Sequence, residues 1–477
     1  MLSVISRYEL PKILILTFYF ILISVLIYSE KFEFGAVLPF LLIITYIAIR
    51  SYDKIFYLIV FLTPLSVNLG YFMPNLPIEI SLLTEPLLLV LLMILFVELL
   101  RKHTLDFQIL KHRISIAILL YLVWTLISSF TSVMPLVSLK FFLSKLWLII
   151  PVFAIGISLF QNWKSIENFI NLHLAGVVIV VIYSTLQIIF VYSLSKSTIH
   201  FAVQPFYNDH TAYGAILALI FPPSLGLFLI SKNKLQKILY LGASFLLLSG
   251  VIISYSRASW LGLLIVAGLL ILIKLKIKFK YVLAFSILVF TIIFTFWFQI
   301  IDRLEKNNQD SSANFSHHIT SISNISTDAS NVERLNRWHC AIEMFKQKPV
   351  FGWGPGTYQF QYAPFQLERM RTIISTDFGD IGNAHSEYLG PLAEQGLPGL
   401  LLFILLTITI LYTGFNIYNK SNISEIKILS LSISLGFVTY FFHGLLNNFL
   451  DTDKLAIPFF GLAAILVSLD LFHKRMS

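Results

Sequence analysis

The stretch Lys237–Lys274, KILYLGASFLLLSGVIISYSRASWLGLLIVAGLLILIK, decides what kind of fold this chain can adopt. It holds two apolar runs, 237–254 and 258–274, separated only by Tyr255, Ser256 and Arg257. Each run approaches the ~20 residues that a helix needs to cross a hydrocarbon core about 30 Å thick. Inside such a core every backbone polar group must be satisfied within the segment, which selects helix. Outward from this pair, comparable runs lie at 13–28, 35–49, 55–69, 81–99, 114–131, 143–160, 167–194 and 211–230, and then at 281–301, 397–418, 428–447 and 456–472. The run at 55–69 is short, is cut by Pro64, and suits a re-entrant segment. Composition agrees: 57% of the 477 residues are hydrophobic, 43 are Phe, and 12% are charged, about half the charged fraction of a soluble domain. The expectation is an all-α polytopic membrane protein of about 12–14 transmembrane helices with one large, partly helical extracytoplasmic loop. Its parts are a bundle over 1–301 of about 11 spans, the loop over 302–396, and three C-terminal helices over 397–477.

Sidedness follows from Lys and Arg in the connections. With the N-terminus inside, 20 of the 34 basic residues fall in inside segments. Six lie in short outside connections or at outer span ends: Lys31, Lys140, Lys145, Lys196, Arg257 and Lys454. The remaining eight sit in the 302–396 loop, and long loops are exempt from the rule. Both termini are therefore expected in the cytoplasm, with the loop and any chemistry it carries on the far side of the plasma membrane. The same bias accounts for the net charge of +9, so no nucleic-acid partner is inferred. The N-terminal MLSVISRYELPK leads into an apolar run without a small-residue cleavage site and reads as a retained signal anchor. Cys340, the single cysteine, cannot form an internal disulfide.

The loop changes character along its length. Residues 305–330 are rich in Asn, Ser, Asp and His without a period and read as flexible, with bare N-x-S triplets at Asn314 and Asn324. Ser330 to Glu333 then fits a capping box, followed by Val332, Leu335, Trp338, Ile342 and Phe345 at helical spacing, with Arg334, Arg337 and Ala341 on a different face. Pro349 and the turn Gly352-Trp353-Gly354-Pro355-Gly356 end that helix. Asn383 or Ser386 can cap a short helix that runs to Gln395 and breaks at Gly396, which holds His385 near a helix start at the membrane surface. Other polar groups reach the same side: Asp209 and His210 ahead of a span, Glu85 near a span end, His443 and Asn447 four residues apart, and Asp451-Thr452-Asp453. Helix capping is the expected role for Asp209 and for Asp451 or Asp453, and the D-x-D triplet is a weak metal signal. Arg257 is basic in a very short outside turn, where a crowded guanidinium seeks a buried partner. Cationic and titratable groups gathered at one face suit an anionic, membrane-embedded substrate.

The residues also carry a resemblance. Ser256-Arg257-Ala258-Ser259-Trp260-Leu261-Gly262 at the start of a span resembles the bacterial O-antigen ligase and polymerase family. So do R-W-x-x-A-I-x-M-F-x-x-x-P-V-F-G-W-G-P-G, from Arg337 to Gly356, and A-H-S-E-Y-L-G-P-L-A-E-Q-G-L-P-G, from Ala384 to Gly399. The likeness covers the chain from about residue 200 onward. It implies a glycosyltransferase whose donor is a glycan on undecaprenyl pyrophosphate and whose acceptor is a hydroxyl of lipid A-core or of another lipid-linked glycan. It also implies that neither metal nor cofactor takes part. Carried across, Arg257 matches an arginine thought to bind pyrophosphate, and His385 matches a loop histidine near the acceptor. Family members often carry a further arginine ahead of the span that begins here near 211. This chain has none between Phe201 and His210, and Arg334, Arg337 or His210 are the candidates to replace it.

The chemistry fits these residue types. A sugar pyrophosphate already carries a good leaving group, so the reaction needs neutralisation of the charge that builds on it, which guanidinium supplies through bidentate hydrogen bonds. The acceptor hydroxyl needs a base, and a histidine near its ordinary pKa can be one. His385 is thus the expected catalytic residue; Arg257, Arg334 and Arg337 are the expected pyrophosphate ligands; and Asp209, His210, Glu387 and His443 are supporting residues. Ligase is the first reading and polymerase the alternative within the class. A flippase or other transporter would show internal repeats and mid-span charges, and neither is visible.

Overall fold

The computed structural model describes Ser24 and residues 51–72, 81–102, 107–192, 201–277, 329–371, 375 and 382–476. The runs expected at 13–28, 35–49 and 281–301, and most of 305–330, lie outside the described residues. The longer described helices are α1 (Tyr52–Leu62), α2 (Glu85–Lys102), α3 (Arg113–Phe130), α4 (Pro135–Leu159), α5 (Trp163–Phe190), α6 (His210–Ile230), α7 (Lys234–Ile253) and α8 (Arg257–Lys274). They continue with α9 (Ala329–Gln347), α10 (Leu389–Lys420), α11 (Ser424–His443) and α12 (Asp453–Met476). Nine of them, α3 to α8 and α10 to α12, are long and apolar enough to cross a membrane. The chain is an all-α, multi-pass membrane protein.

The run at 55–69 resolves into something shorter than a span. At 11 residues α1 reaches about 16 Å, half of the hydrocarbon core. It passes into a 3₁₀ turn at Thr63–Leu65, where Pro64 cannot continue the hydrogen-bond ladder. Val67 and Asn68 then pair antiparallel with Leu82 and Ser81.

Helices α6, α11 and α12 form the interior, and α7 and α8 lie at the periphery with much of their surface uncovered. Close approach of α6 and α11 depends on small residues, as expected where van der Waals packing drives helix association. A Cβ on Gly226 of α6 would stand 2.3 Å from the Ser432 hydroxyl, and one on Gly436 of α11 would stand 2.4 Å from the Leu219 carbonyl.

The segment 329–396 folds onto one end of this bundle. Its core gathers Cys340, Ala341 and Met344 of α9 with Tyr358, Tyr362, Ala384 and Ala393. The face that α9 buries is therefore 333, 336, 337, 340, 341 and 344, not the apolar stripe Val332, Leu335, Trp338, Ile342 and Phe345. Those five stay partly or largely exposed, Ile342 most of all. A stripe at a membrane surface need not meet protein, so amphipathicity does not reveal the packed face. Helix α9 also does not begin at Ser330. Ser330 lies inside α9, and the Glu333 carboxylate accepts from Arg337 Nε at 2.6 Å and from the Ser375 hydroxyl.

Helix α10 is broken at Gly396, whose φ of 70° and ψ of −167° no helix contains. The break frees carbonyls, and the turn after α9 occupies them. Trp353 N donates to Ala393 O at 3.1 Å and Gly354 N to Glu394 O at 2.7 Å. Trp124 Nε1 donates to Gln395 O at 2.9 Å, and Leu397 N is satisfied by Pro349 O at 2.8 Å. The Gly-rich turn and the kink are thus one device, as buried backbone groups require. Gly396→Ala is expected to destabilise this end by about 1–3 kcal/mol or more, because the added Cβ would meet Val350 O at 2.2 Å in a left-handed conformation. A thermal melt of the purified protein in detergent checks it, and an unchanged melting temperature would remove the kink from the account.

Candidate functional site

Four helix ends and one turn meet at the end of the bundle that carries 329–396. Helix α6 begins there, and Asp209 is its cap: Oδ1 accepts from Thr211 N at 2.9 Å and Oδ2 from the Thr211 hydroxyl. The capping expectation for Asp209 holds. The first turn of α6 packs tightly on the α7–α8 hairpin, where a Cβ on Gly214 would stand 2.7 Å from Ser256 Cβ. That hairpin is tight because Tyr255 takes φ 52° and Ser254 Oγ accepts from Ser256 N at 3.2 Å. Arg257, half-buried, is the first residue of α8. Two residues on, Ser259 Oγ lies 3.3 Å from His443 Nδ1 at the end of α11. His443 is fully buried, and its Nε2 stands 3.1 Å from Asn447 Nδ2.

His385 reaches this place on a short, over-determined turn. Asn383 Oδ1 accepts from His385 N at 3.0 Å, an Asx turn that sets the histidine at φ 47°. A left-handed non-glycine residue costs of order 1–3 kcal/mol and persists only where its surroundings enforce it. Here they do. Trp338 Nε1 donates to His385 O at 3.4 Å, and Ser386 Oγ accepts from Tyr388 N and Leu389 N at 3.2 and 3.3 Å, capping α10 as the sequence suggests. Glu387 then locks the turn to the α11–α12 connection. Its Oε1 accepts from Tyr440 OH at 2.6 Å, Phe449 N at 2.7 Å and Leu450 N at 2.9 Å, while Glu387 N donates to Gly444 O at 2.8 Å. Burial, then Asp451, pushes the Glu387 carboxyl up. What the structure assigns to Glu387 is this clasp.

The two arginines of α9 divide. Arg337 is buried, with Nε on Glu333, Nη1 donating to Asn383 O at 3.3 Å, and its guanidinium 4.5 Å from the Tyr362 ring centroid. It holds the turn on which His385 sits. Arg334 is only half-buried, and its charge acts on both His385 and His443, as does that of Asp209. Burial first, then the positive charges of Arg334 and Arg337, hold the His385 imidazole down at about 3, with Asp209 pulling the other way. Opposed charges therefore surround a neutral imidazole.

The family comparison falls on these residues. Residues 242–404 match the family model described as O-antigen ligase. That stretch, about a third of the chain, is thus similar to an O-antigen ligase domain. The matched segment contains Arg257, Arg334, Arg337, His385 and Glu387, while Asp209, His210 and His443 lie outside it. An uncharacterized protein of Haemophilus influenzae is 22% identical over 252 residues, which are 49% of this chain and 57% of the relative. Only about half of the relative's length is thus spanned.

Two further groups around the site escaped the sequence reading. Lys145 of α4, 4% exposed, meets Asp451 Oδ1 at 2.5 Å and Leu450 O at 3.1 Å. Its signal was present: like Arg257, it is a basic residue on the side where bases are scarce. Asp451 or Asp453 was expected to cap α12. Instead the Asp453 carboxylate accepts from Ser66 Oγ at 2.7 Å, Ser81 Oγ at 2.9 Å and Thr84 Oγ1 at 2.5 Å, and Asp451 serves the lysine rather than a helix end. Glu85 lies in the same neighbourhood, with Oε1 accepting from Ser81 N at 3.2 Å.

Proposed function

We propose that the protein is a membrane-embedded glycosyltransferase that moves a glycan from undecaprenyl pyrophosphate to an acceptor hydroxyl at the outer face of the plasma membrane. The acceptor we assign is lipid A-core, which makes the enzyme an O-antigen ligase; the alternative is polymerisation, with a second lipid-linked glycan as acceptor. The observation that carries the reading is a neutral histidine, fixed in a left-handed turn, within the charge field of Arg334, Arg337 and Asp209. Sidedness rests on the distribution of Lys and Arg, which puts both termini in the cytoplasm.

In this reading Arg257 and Arg334 hold the pyrophosphate, and Arg337 positions the Asn383–His385 turn. Asp209, His210 and His443 line the approach. The acceptor oxygen attacks the anomeric carbon and the bond from that carbon to the pyrophosphate oxygen breaks. The electron pair leaves with undecaprenyl pyrophosphate, and the acceptor proton passes to His385. In-line displacement inverts the anomeric configuration. An imidazole held near 3 is a weak base. A bound pyrophosphate offsets the charge of Arg334 and so raises the imidazole from that value, while burial still holds it below its ordinary value of about 6.5. The donor thereby readies the base that the acceptor needs.

The test is the surface-glycan profile of a strain lacking the gene, read beside its undecaprenyl-linked pool. Long polymer stranded on undecaprenyl pyrophosphate with bare acceptor supports the ligase. Acceptor bearing a single repeat unit supports the polymerase. Glycan trapped on the cytoplasmic side contradicts both and points to a transporter.

A further inference from the structure

Two cavities among the described residues differ in kind. One, of about 810 Å³, lies between α6, α7, α8 and α11 and has a wall that is almost all hydrocarbon. Trp260, three residues beyond Arg257, belongs to that wall. The other, of about 490 Å³, lies among the first half of α4, the 356–359 turn, the start of α10 and the 448–452 connection, and shares no residue with the first. Its remaining wall is the His385 turn itself: Asn383, Ala384, Ser386 and Glu387 line it, and His385 does not. The histidine thus sits on the turn that walls the polar cavity without itself lining it.

The polar cavity is built for an uncharged ligand. Its ionisable lining comprises Lys140 and Lys145 against Glu387, Glu394 and Asp451, so no positive surplus remains to hold a pyrophosphate. Lys145 and Glu387 are already engaged, by Asp451 and by Tyr440 with two backbone amides. Ser144, Gln359 and Asn383 offer donors and acceptors, and Phe141 offers an apolar face. Such a mixture suits sugar rings, which have hydroxyl rims and apolar faces, and the volume falls in the roughly 300–1,000 Å³ range of small-ligand sites.

We propose that this cavity is the subsite for the acceptor's sugar residues next to the reacting hydroxyl. The proposal rests on the transferase reading above: the acceptor's reacting hydroxyl must approach His385, and the turn that carries His385 is a wall of this cavity. It makes the α4 face a determinant of which acceptor glycan is used.

The experiment fills the cavity from opposite walls, with Ser144→Trp and Gln359→Trp, in purified protein in liposomes. Donor and acceptor constants are measured with the strain's own undecaprenyl-pyrophosphate-linked glycan and its own lipid A-core. The expected result is an acceptor KM raised about tenfold or more with the donor KM unchanged, the signature of lost acceptor binding. In the unaltered protein, saturating lipid A-core is also expected to protect the Lys140 amine from reductive methylation, a readout that does not depend on either variant folding. Absence of transfer by the unaltered protein overturns the transferase reading and this subsite with it. Transfer with unchanged acceptor KM, a raised donor KM instead, or no protection of Lys140 overturns the subsite alone.

Discussion

Replacing His385 with alanine is expected to lower the transfer rate by about 10²–10⁴-fold, the usual worth of a positioned general base, and to leave donor affinity within a few-fold. The separation follows from geometry. The imidazole sits on a turn whose backbone is fixed by Asn383, Trp338 and Ser386, so its loss need not move the arginines. Two pH profiles sharpen the test. With burial and two arginines holding the free imidazole at about 3, kcat/KM for the donor shows no acid limb from this group between pH 8 and 5. In the donor complex the charge of Arg334 is offset while burial remains, so the acid limb of kcat moves up to a value between about 3 and about 6.5. Activity then falls as the pH drops through that value, because protonation removes the base. A His385→Ala variant with unaltered kcat would remove the histidine from the chemistry.

Arg337→Ala is expected to act on stability before chemistry. It strips a buried guanidinium from the Glu333 carboxylate, from Asn383 O and from the Tyr362 ring, and breaking a buried pair from one side costs about 3–5 kcal/mol. The effect should be local: faster amide hydrogen exchange over 382–388 and easier proteolysis of the same stretch. Arg337→Lys should not rescue it, since an ammonium lacks the planar fork that serves Glu333 and Asn383 together and stacks on Tyr362. The Glu333→Ala, Arg337→Ala double variant should be less destabilised than Arg337→Ala alone, because no buried carboxylate is then orphaned. Exchange at 382–388 unchanged in Arg337→Ala would mean that the arginine does not hold the turn.

What the sequence made legible followed from strong, local physics. Spans such as α7 and α8 are visible because a hydrocarbon core tolerates nothing else, and Asp209 and Ser386 cap helices where their residue types and positions indicate. The break at Gly396 is readable from Gly followed by Leu397 and Pro398. What stayed hidden depended on tertiary choice. Helix α9 has an apolar stripe that a soluble helix would bury, yet it packs through Glu333, Asn336, Arg337 and Cys340. Nothing local in Glu387 distinguishes a clasp on Phe449 and Leu450 from a solvated acid. Lys145 and Asp451 find each other across 306 positions of chain, beyond the reach of any periodicity. The site itself lies between these cases: Arg257 and His385 can be nominated from sequence, but which arginine supports the turn and which faces the ligand depends on the fold.

The measurement that bears most directly on the central claim uses the purified protein in liposomes with undecaprenyl-pyrophosphate-linked glycan and lipid A-core. Glycan is expected to appear on the acceptor with its anomeric configuration inverted, in step with release of undecaprenyl pyrophosphate, and to be lost in His385→Ala. Movement of intact lipid-linked glycan across the bilayer without transfer to the acceptor would contradict the account.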